Sequence, residues 1–390
     1  MFFTTRDLLA RVIVVAAAIA LLLAPVADAV AQDEITHHPL VFAVKPLVGG
    51  NPALIREQSA AGAGLKMWGY TIKSTRTGST GKTFNGVMVG NSPLSTNGTT
   101  TTTVYVVPVI FKIGGNTFNP TVADNNCLSG KVPLTVLKNS PMVVSTHDFK
   151  VNGIDVGQTQ YSDAFQRASF WTNVAANGGT YHNKLQYKFL PAITITPGAA
   201  HSTLFSIAGC IASYGGVEIN WFDSLVTGTI IPGLASQGVG PTNLPIFMLY
   251  NTTLYINSPN NCCVGGYHGA FGNPVQTYSP FQFDTAAAFG IGSEDTDIMA
   301  HEINEWQDDP LGTNATPPWG HIGQVTGCQN NLEVGDPLTG HNYPNVTLGG
   351  YVYHLQELAF FSWFFGKPSI GAGGVFSDNS TFKAPQGACK

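Results

Sequence analysis

From Pro39 to about Pro120 the apolar positions recur with the short period of β-structure. Runs such as Met67–Ile72 and Thr103–Ile110 are rich in β-branched and aromatic residues, and polar turns such as Ser95–Thr101 separate them, which predicts a series of strands. Over Gln158–Asn177 the period changes. Tyr161, Phe165, Ala168 and Trp171 fall at helical spacing, and Asn177-Gly178-Gly179 ends the pattern. Ile219, Phe222, Leu225 and Val226 form an apolar face that predicts another helix over about Val217–Ile230.

Leu244–Ile256 reads as a buried strand, Tyr267–Phe271 as a short edge strand, and Gln276–Asp284 as a third strand. A turn at Gly290-Ile291-Gly292 follows, with Ser293 as the expected N-cap of a helix. Glu294, Asp295 and Asp297 sit near its start, where the helix dipole favours carboxylates, and Pro310 stops it at about Asp308. Met299, Ile303 and Trp306 give this helix one side to bury. A last amphipathic helix is expected from Tyr353 to Phe365, its aromatics closing the core. The elements predict an α+β chain: a β-rich region over residues 32–155, then a mixed sheet with a helix across it over 156–390.

The first 31 residues stand apart from this pattern. Arg6 and Arg11 precede an unbroken apolar run from Val12 to Ala24, shorter than the roughly 20 residues a bilayer span needs. Ala29-Val30-Ala31 then places small residues where a signal peptidase reads them, so residues 1–31 are expected to be a cleaved signal peptide and the protein secreted, periplasmic or at the cell surface. No later segment is apolar over enough length to span a membrane. A net charge of −5 without a basic cluster argues against nucleic acid as a partner. The six cysteines of an exported chain are disulfide candidates. Cys262 and Cys263 are adjacent, so each is expected to pair elsewhere or stay free.

Charge is scarce, at 11% of residues, yet Glu294–Asp309 concentrates seven carboxylates and one histidine. Such a density needs a cation or a very exposed face. Within it, His301-Glu302-Ile303-Asn304-Glu305 places His301 and Glu305 one helical turn apart on one face, where an imidazole nitrogen and a carboxylate oxygen can reach one ion. Glu302 then points beside that ion. In zinc peptidases of the His-Glu-x-x-His type the corresponding glutamate is the general base for the metal-bound water. Here Glu305 replaces the second histidine. The third ligand is expected from Asn331–Asp336, with Glu333 the first candidate. Asp336 is the next, as a ligand or as the acceptor that fixes the His301 tautomer; His321 and Asp308 are further candidates. An i, i+4 pair on a solvated face is the plainer reading of His301 and Glu305.

Ala300 to Glu305, Asp309-Pro310, Trp319 and Glu333-Val334-Gly335-Asp336, together with Tyr267-His268-Gly269 upstream, resemble the phosphate-induced (Exordium-like) family of secreted proteins and its bacterial relatives, over about the C-terminal third of the chain. The resemblance implies a zincin-like helix. The order strand, edge strand, strand, His-Glu helix is also similar to that of zincin catalytic domains, whose edge strand binds an extended peptide through main-chain hydrogen bonds. That likeness gives Tyr267–Phe271 the substrate-binding role and offers His268 as a hydrogen-bond donor to an oxyanion; a satisfied core histidine is the plainer alternative. The expected function is a zinc-dependent hydrolase, most simply a metallopeptidase, with Glu302 as base and His301, Glu305 and Glu333 as ligands. The alternative is a non-catalytic extracellular binding protein with structural Ca²⁺ or no metal, because oxygen-rich ligation also suits calcium.

Overall fold

A computed structural model of the chain describes residues 34–49, 59–323, 327–341, 344–386 and 389. The expected signal peptide lies outside the described residues. Those from Glu34 onward form one compact unit.

The longest strand, β2 (Thr99–Ile113), is exposed in alternation at its start and buried through its middle, the pattern of a strand that enters the centre of a covered sheet. Eight sheet segments matter for the site: β1 (Val41–Lys45), β2, β3 (Ser202–Ser206), β4 (Ser213–Glu218), β5 (Leu244–Tyr250), β6 (Thr252–Tyr255), β7 (Cys262–Phe271) and β8 (Gln276–Phe283). They run in the order β3-β4-β6-β7-β8-β5-β2 within a mixed sheet of eleven described strands. β2 pairs parallel to β5, and β1 pairs parallel to β7. Strands from both sides of residue 155 thus share one sheet. The fold is mixed α+β.

Alternation along β5 separates the two faces. Ile246 and Met248 join a core with Phe281, Phe283, Met299, Ile303 and Trp306; Phe247 and Leu249 join another with Tyr267, Tyr278 and Phe222. The helices are few. α1 (Tyr161–Ser169) and α2 (Trp171–Ala176) divide the helix expected from Gln158, whose first two residues belong to a strand. Val217 and Glu218 end β4, so the next helix, α3, covers only Ile219–Leu225 before a wider turn to Ile230. Asn251, at φ 44°, breaks the expected Leu244–Ile256 strand into β5 and β6, and its side-chain oxygen accepts the Thr285 N–H at 2.8 Å. The expected Tyr353–Phe365 helix is a correction too: Tyr351–His354 is a strand, and only Phe361–Phe364 is helical. Its aromatics are nonetheless buried.

β7 corrects the sequence reading most. It is ten residues long and interior: β8 lies along one side, and β6 followed by β1 lies along the other. Tyr267–Phe271 is therefore no free edge. Ala43, Val44 and Lys45 pair with Tyr267, His268 and Gly269, the position expected for a substrate peptide.

Three disulfides join Cys127 to Cys210, Cys328 to Cys389, and Cys262 to Cys263, so the adjacent pair expected to part is joined. Such bonds persist in oxidising compartments. No helix among the described residues is long and apolar enough to cross a membrane.

Candidate metal centre

The helix that carries the His-Glu motif, α4 (Asp297–Asp308), lies across β7 and β8. Thr296 stands at its N-cap; Ser293, expected there, donates its hydroxyl to the Gly290 carbonyl instead. At the other end Asp309 caps the helix before Pro310, its carboxylate accepting the N–H groups of Thr313 and Asn314. All twelve residues of α4 are buried. Met299, Ile303 and Trp306 fill the core beneath it, with the Trp306 indole N–H donating to Thr277 Oγ1 at 3.0 Å. The opposite side, expected to be solvated or ion-bound, is equally closed.

On that side His301 Nδ1 lies 2.8 Å from the Gln356 side-chain oxygen, whose amide nitrogen donates to the Gly335 carbonyl at 2.5 Å. An amide oxygen accepts only, so Nδ1 carries the proton and Nε2 of the neutral ring carries a lone pair. Nε2 faces Glu305 Oε1 at 3.0 Å and Asp336 Oδ1 at 3.5 Å, in hydrogen-bond geometry with neither. Three electron-rich atoms thus converge at one buried point. Gly335 makes this approach possible: a Cβ there would stand 2.4 Å from His301 Nδ1. Across the ring, Phe42 of β1 stacks on His301 with centroids 3.4 Å apart and planes 13° from parallel.

His268 enters the same cluster from β7. Its Nε2 meets the Asp309 carbonyl oxygen at 3.0 Å, so that nitrogen bears the proton and Nδ1 the lone pair. Nδ1 points at Glu302 Oε2, 3.5 Å away, and at Glu305 Oε2, 3.8 Å away. Both Glu302 oxygens are buried without a hydrogen-bond partner. Gly266 leaves the space they occupy, since a Cβ there would stand 2.7 Å from the Glu302 side chain.

Electrostatics follow from burial. Glu302, Glu305 and Glu333 are 2% exposed or less and Asp336 5%, and among the described residues the basic side chains within 4 Å of them are histidines. Burial, reinforced by Glu305 and Asp336, pushes the Glu302 carboxyl well above its usual range, and burial with Glu305 does the same to Glu333. Burial alone would lower His301; Glu305, Asp336 and Glu302 outweigh it and hold the imidazole well above its ordinary value. Burial dominates at His268 and lowers it.

Among the described residues, two triplets have metal-site spacing, His301–Glu305–Asp336 and His268–Glu302–Glu305. Glu333, the first candidate for the third ligand beside His301, stands elsewhere: its Oε1 accepts from Asn331 at 2.9 Å, and its Oε2 lies 3.8 Å from His268 Nε2. Asp336 Oδ1 lies nearer His301 Nε2, at 3.5 Å, and the oxygen that meets His301 Nδ1 belongs to Gln356. His321 bonds the Asp336 carbonyl through Nδ1, and Asp308 bonds Gln166; both stay outside the cluster. Gln356 and Phe42 escaped sequence reasoning altogether. A glutamine within an apolar run 55 residues from its partner, and a phenylalanine in a short strand, carry no local signal. No family model, curated protein or solved structure matches the chain.

Proposed function

We propose that this is an exported metalloprotein, built as a latent zinc-dependent hydrolase. Residues 1–31 are its signal peptide. His301, Glu305 and Asp336 hold a divalent ion, and Glu302 stands beside it as the base for a bound water, the arrangement that zincin-type hydrolysis requires. One observation carries the reading: the His301 Nε2 lone pair, fixed by Gln356, is aimed at two buried carboxylate oxygens. Without a cation that convergence is costly; with one it is a three-ligand site. Latency follows from β1, which occupies the flank of β7 and stacks Phe42 on the ligand ring. A peptide substrate has to displace it. The relationship to Exordium-like proteins belongs to the same proposal.

Complete burial of the ligands favours a second reading, in which the ion, zinc or calcium, is structural and no substrate enters. The test is elemental analysis of the full chain purified without added metal. It is followed by peptide hydrolysis before and after cleavage at a protease site inserted between Lys45 and Met67, in the wild type and in Glu302→Gln. Bound zinc, with hydrolysis that appears on cleavage and is absent from Glu302→Gln, supports the hydrolase. Zinc or calcium without hydrolysis supports the structural ion. A metal-free protein that takes up no divalent ion refutes both.

A further inference from the structure

The cluster contains more donors than one ion needs. We propose that it holds two divalent cations bridged by the Glu305 carboxylate. The inference rests on the reading of the cluster as a metal centre, and it reassigns Glu302 from base to ligand.

Glu305 has a different environment at each oxygen. Oε1 accepts the Gly335 and Asp336 N–H groups at 3.1 and 3.2 Å and faces His301 Nε2 at 3.0 Å. Oε2 faces His268 Nδ1 at 3.8 Å. Each oxygen therefore meets its own imidazole lone pair, and each imidazole meets one further carboxylate: Asp336 at 3.5 Å from His301, Glu302 at 3.5 Å from His268. Donor atoms about 2 Å from a common ion lie roughly 3 to 3.5 Å from one another. Both triplets are near that spacing, and a carboxylate that gives one oxygen to each ion suits a metal pair about 3.5–4 Å apart.

Charge counting is compatible with two ions. Four buried carboxylates, Glu302, Glu305, Glu333 and Asp336, lie within 4 Å of the two imidazoles, and both imidazoles are neutral when they serve as ligands. One divalent ion balances two ionised carboxylates, and two ions balance all four once Glu302 and Glu333 give up their protons. Glu302 is the residue a single ion at His301 leaves unexplained. Both its oxygens lack a partner, as do His268 Nδ1 and one oxygen of Glu333. A second ion between His268 Nδ1 and Glu302 satisfies those three atoms, while the Glu333 oxygen lies on the Nε2 side of the ring, outside that site. The mixed imidazole and carboxylate donors suit zinc or manganese at both positions.

The test is metal stoichiometry of the full chain, by elemental analysis after equilibration with Zn²⁺, and electron paramagnetic resonance of the Mn²⁺-loaded protein. The expected result is two equivalents and the spectrum of an exchange-coupled Mn²⁺ pair. One equivalent with an uncoupled spectrum overturns the second ion and leaves the single-metal reading standing; no binding overturns both. Two equivalents with uncoupled spectra overturn the bridge. His268→Phe is expected to halve the stoichiometry and remove the coupling, and two equivalents retained in that variant also refute the assignment. The wild-type measurements decide even where the variant does not fold.

Discussion

Replacing Gly335 by alanine adds a single methyl group at the point of closest approach to the proposed ligand. Gly335 has φ −85° and ψ −39°, a conformation any residue adopts, so the substitution strains no backbone. Its effect is steric alone. The new Cβ would stand 2.4 Å from His301 Nδ1 and 2.7 Å from Cγ and Cε1, where ordinary contact begins at 3.4 Å. Relief requires the ring and the Gly335 segment to part by about 1 Å, an overpacking that costs about 1–3 kcal/mol of stability. The ring cannot retreat, because Phe42 stacks on its other face at 3.4 Å. The movement falls instead on the segment that carries Asp336 and on the two N–H groups that hold Glu305 Oε1. Metal–ligand distances tolerate only about 0.2 Å, so a displacement several times larger removes at least one ligand. Gly335→Ala is therefore expected to weaken divalent-ion binding about 100-fold, equivalent to about 2.7 kcal/mol. Competition against a chromophoric chelator measures this, with Gly228→Ala as the control, since a Cβ at Gly228 meets nothing within 4 Å. A Gly335→Ala protein that binds metal within threefold of the wild type would refute the convergence of His301 and Asp336 on one ion.

Three further outcomes follow from the same structure. Gln356→Leu removes the acceptor that fixes the His301 proton on Nδ1 and is expected to lower metal affinity about 10–100-fold, with much of it regained in Gln356→Glu; unchanged affinity in the leucine variant removes Gln356 from this role. Asp378 is pushed up to about 7, by burial foremost and then by Glu357. Its folded value lies above the unfolded one, so its contribution is fully present below about pH 4 and is lost as pH rises through about 7, about 4 kcal/mol in all. Asp378→Asn is accordingly expected to flatten the decline in urea midpoint between pH 4 and 7, and an unaltered slope contradicts the assignment. Trp306→Ala empties a fully buried indole site and orphans Thr277 Oγ1; a loss of about 3–5 kcal/mol is expected in urea unfolding, and a loss below 1 kcal/mol means that the core refills the space.

What could be read along the chain divides by distance in sequence. His301 and Glu305 lie in one helical turn, whose geometry is fixed whatever surrounds it, and they do face one another. The choice between Glu333 and Asp336 depends on the tertiary path of a loop. There the decisive feature is Gly335, which lets the chain close on the His301 ring so that Asp336, rather than Glu333, reaches Nε2. β7 was misread for a related reason. Tyr267–Phe271 has the length and composition of an edge strand. Its neighbour β1, however, comes from more than two hundred residues upstream, and parallel pairing at that range leaves no mark in either segment.

The disposition of charge was legible in kind but not in place. Seven carboxylates in a charge-poor chain demanded either solvent or a cation, and the fold removes the first option for six of them by burial, leaving Glu294 partly exposed. It then spreads the burden unequally. Asp309 is answered by backbone N–H groups and Asp308 by Gln166, whereas Glu302 is left with both oxygens bare beside an imidazole lone pair. Asp297, on the same helix, is likewise buried with both oxygens bare, so what distinguishes Glu302 is its place beside the His268 ring nitrogen. His268 and His301, on either side of Glu305, each turn one ring nitrogen to an oxygen outside the cluster and the other toward its carboxylates, the arrangement on which the proposed metal centre rests.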